Sequence, residues 1–223
     1  MKKLVIFDCD GTLADTEILN NQATLDVLIE CGFPNYDMNF CMRELVGKTM
    51  SVVKIMIEER EGRKLPDYFI PRFIELVSLR MKDGLLPVSG AVESAQYIDQ
   101  HFLTCVASNG ERANVMESLR AIGLFDLFGE NRIFTKIQVP RGKPYPDIFF
   151  YAAQKMGCLP EESVVIEDSV SGVQAGVAAG MHTIGITAVS HDREAATLAL
   201  KGAGASQVFE NCEDIRNYIN VFV

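Results

Sequence analysis

Two acidic residues close an apolar run near the amino terminus of the chain. Asp8 and Asp10 follow the apolar segment 4–7, and Gly11 comes directly after Asp10. A short run that is apolar on both faces is typical of a buried parallel strand, and glycine permits the turn that would end it. Because side chains alternate along a strand, Asp8 and Asp10 are predicted to point to the same side. Two carboxylates this close repel each other unless a cation binds between them or one keeps a proton, so the pair predicts chemistry at the strand end.

Polar residues also stand at three later places, which are Ser108-Asn109, Lys143 and Glu167-Asp168. Each has a purely structural interpretation: Ser108-Asn109 as a turn or helix cap, Lys143 as a solvated loop charge, and Glu167-Asp168 as acids favoured at a helix start. Their combination is more informative, because strand ends gather on one edge of a parallel sheet. Several acids with a lysine at one edge suit a hard divalent cation with oxygen ligands, above all Mg²⁺.

The elements that must position these residues follow from hydrophobic periodicity. Residues 15–86 show helical patterns and no convincing strand, whereas strands and helices alternate from residue 87 onward. Strands are predicted at 103–107, 132–135 and 163–166, at 182–186, and weakly near 207–209. Single helices between strands indicate right-handed crossovers, and therefore an α/β fold with a doubly wound parallel sheet.

Composition limits the function classes. Hydrophobic residues make up 48% of the 223 residues, which allows a sizeable core, and the net charge of −9 argues against nucleic acid or an anionic membrane as partner. We find no apolar run long enough to span a bilayer and no leader at the start, so a cytoplasmic location is expected. The six cysteines are scattered without a CxxC pair, which favours reduced thiols. A monomer or weak homodimer is expected.

The motif set resembles that of the haloacid dehalogenase superfamily over nearly the whole chain. The matching segments are Asp8-Cys9-Asp10-Gly11-Thr12, then Ser108-Asn109, then Lys143-Pro144, and finally Glu167-Asp168-Ser169 with Gly172 and Ala175-Gly176. The segment Asp15-Thr16-Glu17 resembles the β-phosphoglucomutase-like phosphatase branch. This resemblance implies a Rossmann-like core domain of residues 1–14 and 87–223, and an inserted α-helical cap domain of residues 15–86.

The resemblance also implies catalytic roles. Asp8 would be the nucleophile that forms an aspartyl-phosphate, and Asp10 would protonate the leaving oxygen and then activate water. Mg²⁺ would be held by the Asp8 carboxylate, the Asp10 backbone carbonyl and Asp168, with Glu167 as a direct or water-mediated ligand.

The same resemblance implies the phosphate contacts. Ser108, the Asn109 backbone and Lys143 would bind phosphoryl oxygens. A cis peptide bond is expected before Pro144, where it would aim Lys143 inward.

Departures from the family pattern favour one of the family's reactions over the others. Haloacid dehalogenases proper lack a carboxylate at the position of Asp10, so its presence favours phosphate esters. Asn20 stands where related mutases carry a histidine, and Val46 and Met50 stand where they carry a lysine and an arginine. These differences predict a phosphatase, with a phosphosugar mutase as the alternative and a non-catalytic binding protein as a more distant one.

The predicted substrate is a small phosphorylated metabolite, a sugar or polyol phosphate. Thr12, Asn20, Gly47 and Lys48 are expected to join its binding, and neighbouring Val46 and Thr49 to contribute to its choice. Lys48 has an equally good interpretation as a solvated loop charge.

Overall fold

A computed structural model describes residues 3–45, 48 and 50–222 of the chain. Within these residues six strands form one parallel sheet in the order β3-β2-β1-β4-β5-β6. The strands are β1 Leu4–Phe7, β2 Leu103–Ser108, β3 Ile133–Thr135, β4 Ser163–Glu167, β5 His182–Ile186 and β6 Gln207–Phe209. The predicted α/β fold with a doubly wound parallel sheet is therefore confirmed.

Helices connect the strands and form a separate helical segment after β1. The α-helices of the described residues are α1 Glu17–Glu30, α2 Met38–Phe40, α3 Met50–Glu61, α4 Phe69–Gly84, α5 Ala91–Asp99, α6 Arg112–Ala121, α7 Phe125–Phe128, α8 Asp147–Lys155, α9 Val170–Ala178, α10 Arg193–Gly202 and α11 Cys212–Phe222. Within the segment predicted to be helical, α2 is followed directly by a π-helical turn, Cys41–Leu45. Helices α10 and α11 were not predicted from the sequence.

Strand β1 lies in the middle of the sheet and its side chains are 0–3% exposed. Phe7 pairs with Val106 of β2 on one side and with Ile166 of β4 on the other. Burying each of its apolar side chains contributes about 1.5–3 kcal/mol. The shared register brings the residues that follow these three strands to one edge of the sheet.

Helices cover both faces of the sheet. On one face Leu4 and Ile6 pack with Ile148, Phe149 and Ala175 of helices α8 and α9. On the other face α5, α7 and α11 cover the sheet, and an edge-to-face ring contact joins β1 to α7. Burial on both faces explains why the central strands are continuous apolar runs in the sequence rather than alternations of apolar and polar residues.

The chain divides into two compact units, Met1–Asp15 with Leu86–Val223, and Thr16–Leu85. The second unit is helical in its described residues and has its own core, in which Leu28, Ile57 and Phe69 are fully buried. A hydrophobic core of its own is typical of a domain.

None of the helices in the described residues is both long enough and apolar enough to cross a membrane.

Candidate active site

Three neighbouring strands carry predicted site residues to one edge of the sheet. Asp8 follows β1, Ser108 ends β2 and Glu167 ends β4. The Asp8 N–H donates to the Ile166 carbonyl at 3.0 Å, so pairing between β1 and β4 continues one residue beyond β1. The structure thus gathers side chains that are far apart in the sequence, as expected for parallel strands.

Lys143 lies among these side chains, and its ammonium donates three hydrogen bonds. The acceptors are Asp8 Oδ1 at 2.5 Å, the Ala107 carbonyl at 2.8 Å and Glu167 Oε1. The Lys143 side chain is 3% exposed, and its Nζ lies 5.2 Å from the centroid of the Phe149 ring, within cation–π range. An ammonium has three donors, so all of them have protein acceptors here. The predicted nucleophile and the predicted phosphate-binding lysine are therefore in direct contact.

Glu167 is completely buried and hydrogen-bonded at both carboxylate oxygens. Oε1 accepts from Lys143, and Oε2 accepts from the Ser169 N–H at 3.2 Å and from the Ser169 hydroxyl at 2.9 Å. The same hydroxyl accepts from the Gly172 N–H at 3.0 Å and caps α9. A Cβ on Gly172 would stand 1.9 Å from the Glu167 carboxylate. Because a buried carboxylate needs such partners, this network accounts for the position of Glu167.

Two glycine turns bring the other acids close to the strand ends. Gly11 has a φ of +80°, and a Cβ on it would stand 2.0 Å from Asp168 Oδ2. Ser108 Oγ accepts from the Gly110 N–H at 2.9 Å. A Cβ on Gly110 would lie 3.1 Å from Ser108 Oγ and 3.4 Å from Asp10 Oδ2. Glycine at these two turn positions therefore leaves space for the side chains of Asp168, Ser108 and Asp10. A larger residue at either position would displace them.

Burial and neighbouring negative charges raise the pKa values of Asp8 and Asp168. Burial, followed by the charge of Glu167, raises the pKa of Asp8 to about 8, although Lys143 acts in the opposite direction. Burial raises the pKa of Asp168 well above its ordinary value, and the charges of Asp8 and Glu167 add to this. Burial lowers the pKa of Lys143, but the two neighbouring carboxylates outweigh it and the net shift is upward. The site therefore has more potential negative charge than one ammonium neutralises.

Three of the predicted metal ligands form a group that could hold a metal ion. Oxygens of Asp8, Glu167 and Asp168 all lie within 4.8 Å of one another. These three carboxylates can carry more negative charge than the Lys143 ammonium neutralises. An oxygen donor set with this excess suits Mg²⁺. Among the described residues this group does not include the Asp10 side chain, for which a backbone contact was expected.

The side chain of Asn109 contacts Lys143 rather than an open pocket. Its amide nitrogen donates to the Lys143 carbonyl at 3.1 Å, and its oxygen accepts from the Lys143 N–H at 2.9 Å. The peptide bond between Lys143 and Pro144 is cis, as predicted. Contact between the Asn109 backbone and a phosphoryl group stays a prediction.

Thr12 was predicted to join substrate binding and lies in the α/β unit. It is 2% exposed and lines a small internal cavity with Ser94, Ile98 and Cys212. In the part of the chain that the structure describes, its hydroxyl oxygen has no hydrogen-bond partner. Its role in substrate binding stays a prediction.

Asn20 and Lys48 belong to the helical unit. Asn20 is half-buried in α1, and its carbonyl accepts from the Thr24 hydroxyl at 2.8 Å. The Lys48 ammonium donates to the Glu44 carbonyl at 2.5 Å, which is a local contact. Gly47, Val46 and Thr49 lie outside the described residues. The proposed substrate contacts of these residues stay predictions.

Sequence reasoning missed several groups that hold the site together. The Ala107 carbonyl accepts from Lys143, but a backbone carbonyl leaves no signal in residue type. Phe149 faces the same ammonium, and its place in an apolar helical pattern indicated only core packing. Ser169 and Gly172 were noted as motif residues, while their contact with Glu167 required the fold.

Comparisons with known proteins agree with this geometry. Residues 5–186 match the family described as haloacid dehalogenase-like hydrolase. The chain is 27% identical over 192 residues to a 6-phosphogluconate phosphatase of Escherichia coli, covering 85% of this chain and 84% of that protein. It is 28% identical over 198 residues to a beta-phosphoglucomutase of Bacillus subtilis, covering 82% and 83%.

A solved structure is similar along its whole length. It is the crystal structure of a HAD family hydrolase from Deinococcus radiodurans R1 with bound phosphate and sodium, with a TM-score of 0.84 and 31% identity over 99% of this chain and 96% of that chain. The relatives agree with the enzyme class expected from the motifs, a phosphoric monoester hydrolase. The family match covers most of the chain and confirms the resemblance seen in the four motifs, so the chain belongs to the haloacid dehalogenase-like hydrolase family.

Proposed function

We propose that this enzyme is a Mg²⁺-dependent phosphatase that hydrolyses a small sugar or polyol phosphate through an aspartyl-phosphate on Asp8. One observation carries the proposal. The Asp8 carboxylate is held by Lys143 beside Glu167 and Asp168, in a group of oxygens that lie within 4.8 Å of one another. Phosphoryl transfer depends mainly on positioning and on neutralising charge, and this arrangement offers both.

Asp8 and Asp10 divide the chemistry into two steps. In the first, an oxygen of Asp8 bonds to phosphorus in line with the leaving oxygen, the ester bond breaks, and Asp10 gives its proton to the departing alkoxide. In the second, a water oxygen attacks the same phosphorus, Asp10 takes the water proton, and the bond to Asp8 breaks to release phosphate. Asp10 thus ends each cycle protonated and ready to act as acid again.

Lys143 and Ser108 would meet the phosphoryl oxygens. The Lys143 ammonium already touches Asp8, so an oxygen on phosphorus bound to Asp8 would lie beside that positive charge. The Ser108 oxygen accepts one bond from Gly110, and its hydroxyl hydrogen is available to donate. Such donors stabilise the charge that develops in the transition state.

Mg²⁺ would be held by the Asp8 and Asp168 carboxylates and the Asp10 carbonyl, and would supply positive charge against the phosphoryl oxygens. The bonds that Glu167 accepts from Lys143 and Ser169 favour a water-mediated contact for this residue over a direct one.

The helical unit would serve as a cap that excludes bulk water during turnover. We place substrate choice with Asn20, Lys48 and residues 46, 47 and 49. Met50, at the position of a mutase arginine, has its sulfur 3.9 Å from the Thr24 hydroxyl as a weak acceptor. A thioether cannot bind a second phosphate as a guanidinium does, which supports hydrolysis over isomerisation.

Phosphate release from a panel of phosphorylated metabolites tests the proposal. Wild-type enzyme with Mg²⁺ should release phosphate from sugar or polyol phosphates, and EDTA should stop the release. Glucose phosphates are followed in parallel for isomerisation, because the mutase alternative predicts exchange between isomers without net phosphate. If neither release nor isomerisation occurs on any substrate, the binding-protein alternative replaces the phosphatase.

Cysteine chemistry supports a cytoplasmic location for the enzyme. All six cysteines lie in the described residues and are free thiols, and Cys9 and Cys105 are completely buried. Scattered free thiols suit a reducing environment, so we place the enzyme in the cytoplasm.

A further inference from the structure

Asn109 is joined to Lys143 at two points, and both points are on the Lys143 backbone. We propose that the Asn109 side chain is a positioning residue, which holds the Lys143 backbone so that the ammonium reaches Asp8. The consequence for catalysis rests on the function proposed above. The two hydrogen bonds between the Asn109 amide and the Lys143 backbone, called the clamp below, can be tested without turnover.

The amide side chain matches both groups of the lysine backbone. The Lys143 N–H requires an acceptor and the Lys143 carbonyl requires a donor, and a carboxamide supplies one of each. These bonds join residues that are 34 positions apart, so Asn109 does more than cap its own turn. The clamp connects the loop after β2 to the loop before α8.

Gly142 indicates that space is reserved for this amide. A Cβ on Gly142 would stand 2.5 Å from Asn109 Oδ1 and 3.2 Å from its Cγ. Gly142 does not have a left-handed backbone conformation, so its φ does not require glycine. The amide of Asn109 is the group that a larger residue at position 142 would displace.

The clamp matters because Lys143 has little freedom at its other end. Its ammonium is fixed by Asp8, Glu167 and the Ala107 carbonyl, and its side chain is 3% exposed. A shift of the backbone would draw the ammonium away from these acceptors. Small misplacements of a charged group reduce phosphoryl transfer strongly, because catalysis depends on positioning.

Three variants test the clamp. Asn109→Ala removes both hydrogen bonds, and Gly142→Ala displaces the amide while every polar side chain is kept. Gly202→Ala is the matched control, because a Cβ there meets nothing within 4 Å and its φ is not left-handed. Each variant is assayed for kcat and KM, with circular dichroism as the check on folding. Lysine acetylation by acetic anhydride is then measured by mass spectrometry, with exposed Lys201 as the reference.

The proposal requires two changes together. Asn109→Ala and Gly142→Ala should lower kcat by about tenfold or more, with a smaller change in KM, and acetylation of Lys143 relative to Lys201 should rise. Gly202→Ala should match wild type in both readouts. The proposal would be contradicted if Lys143 in the two clamp variants were acetylated no more than in the wild type. It would also be contradicted if these variants kept the kcat of the wild type.

The readouts separate this proposal from the proposed function. If Asn109→Ala does not fold, Gly142→Ala alone decides the result. If the wild-type enzyme releases no phosphate from any substrate, the phosphatase proposal fails, while the labelling of Lys143 still accepts or rejects the clamp.

Discussion

Gly172 lies directly against the carboxylate of Glu167, and a Cβ on this glycine would stand 1.9 Å from it. Gly172 is in helix α9 without a left-handed φ, so alanine would be favoured there by helix propensity. The glycine is needed for the space that Glu167 takes. The geometry of the lysine network therefore depends on a residue that has no functional group.

Gly172→Ala should destabilise the protein despite its better helix propensity. The new methyl group would push Glu167 away from its partners Lys143 and Ser169, and overpacking of this kind costs about 1–3 kcal/mol. Urea denaturation at neutral pH measures the change. Gly202→Ala, at a helix position with open space, is the control and should not lose stability. A Gly172→Ala protein as stable as wild type would show that Glu167 can move without cost.

Removing the charge of Lys143 should be more damaging. Lys143→Met leaves Asp8 and Glu167 buried without their cation, and breaking a buried ion pair from one side costs about 3–5 kcal/mol. Adding Glu167→Gln to this variant should recover part of the loss, because one uncompensated charge is removed. Urea denaturation in EDTA of both single variants and the double variant measures the coupling. Additive losses would contradict a shared network.

The central strands were predictable from the sequence because burial on both faces requires a continuous run of apolar residues. The apolar runs that end at Asp8, Ser108 and Glu167 predicted these strands, and a parallel order predicted that their carboxyl ends lie together. Helices α10 and α11 were not predicted, although each has the amphipathic periodicity that indicates a helix.

The contacts of Lys143 show what the sequence could not give. Its acceptors are a carboxylate 135 positions away, the Ala107 carbonyl, and a second carboxylate that a glycine in α9 accommodates. Residue types indicated that Lys143 would matter, and only the fold shows which atoms it meets. Likewise, only the fold shows which atoms the Asn109 amide contacts, because an asparagine at this place in the sequence could equally indicate a turn.

Stability without metal should fall as the pH rises toward 8. The pKa of Asp8 is raised from 3.8 to about 8 in the folded state, so between these values the folded protein holds a proton that the unfolded chain has lost. This contribution is complete below the unfolded pKa and is lost as pH rises through the folded pKa, with a slope of at most about 1.4 kcal/mol per pH unit for one proton. Urea denaturation in EDTA at pH 6, 7 and 8 measures it.

Asp8→Asn is the control for this pH dependence, because an amide does not titrate. Its stability should vary less between pH 6 and pH 8 than that of the wild type. An equal slope in both proteins would assign the pH dependence to other groups, among which Asp168 also has a raised pKa.

Asp10→Asn should separate the two chemical steps. With an alkyl phosphate the variant lacks the acid for the leaving oxygen, and kcat should fall by about 10²–10⁴-fold. With p-nitrophenyl phosphate the leaving group needs no proton, so the first step should survive while hydrolysis of the aspartyl-phosphate stays slow. Intact-protein mass spectrometry after rapid acid quench should then show phosphorylated Asp10→Asn, and no phosphorylation of Asp8→Asn. Wild-type turnover of alkyl phosphates by Asp10→Asn would remove Asp10 from the acid–base role, because no other assignment in the mechanism supplies that proton.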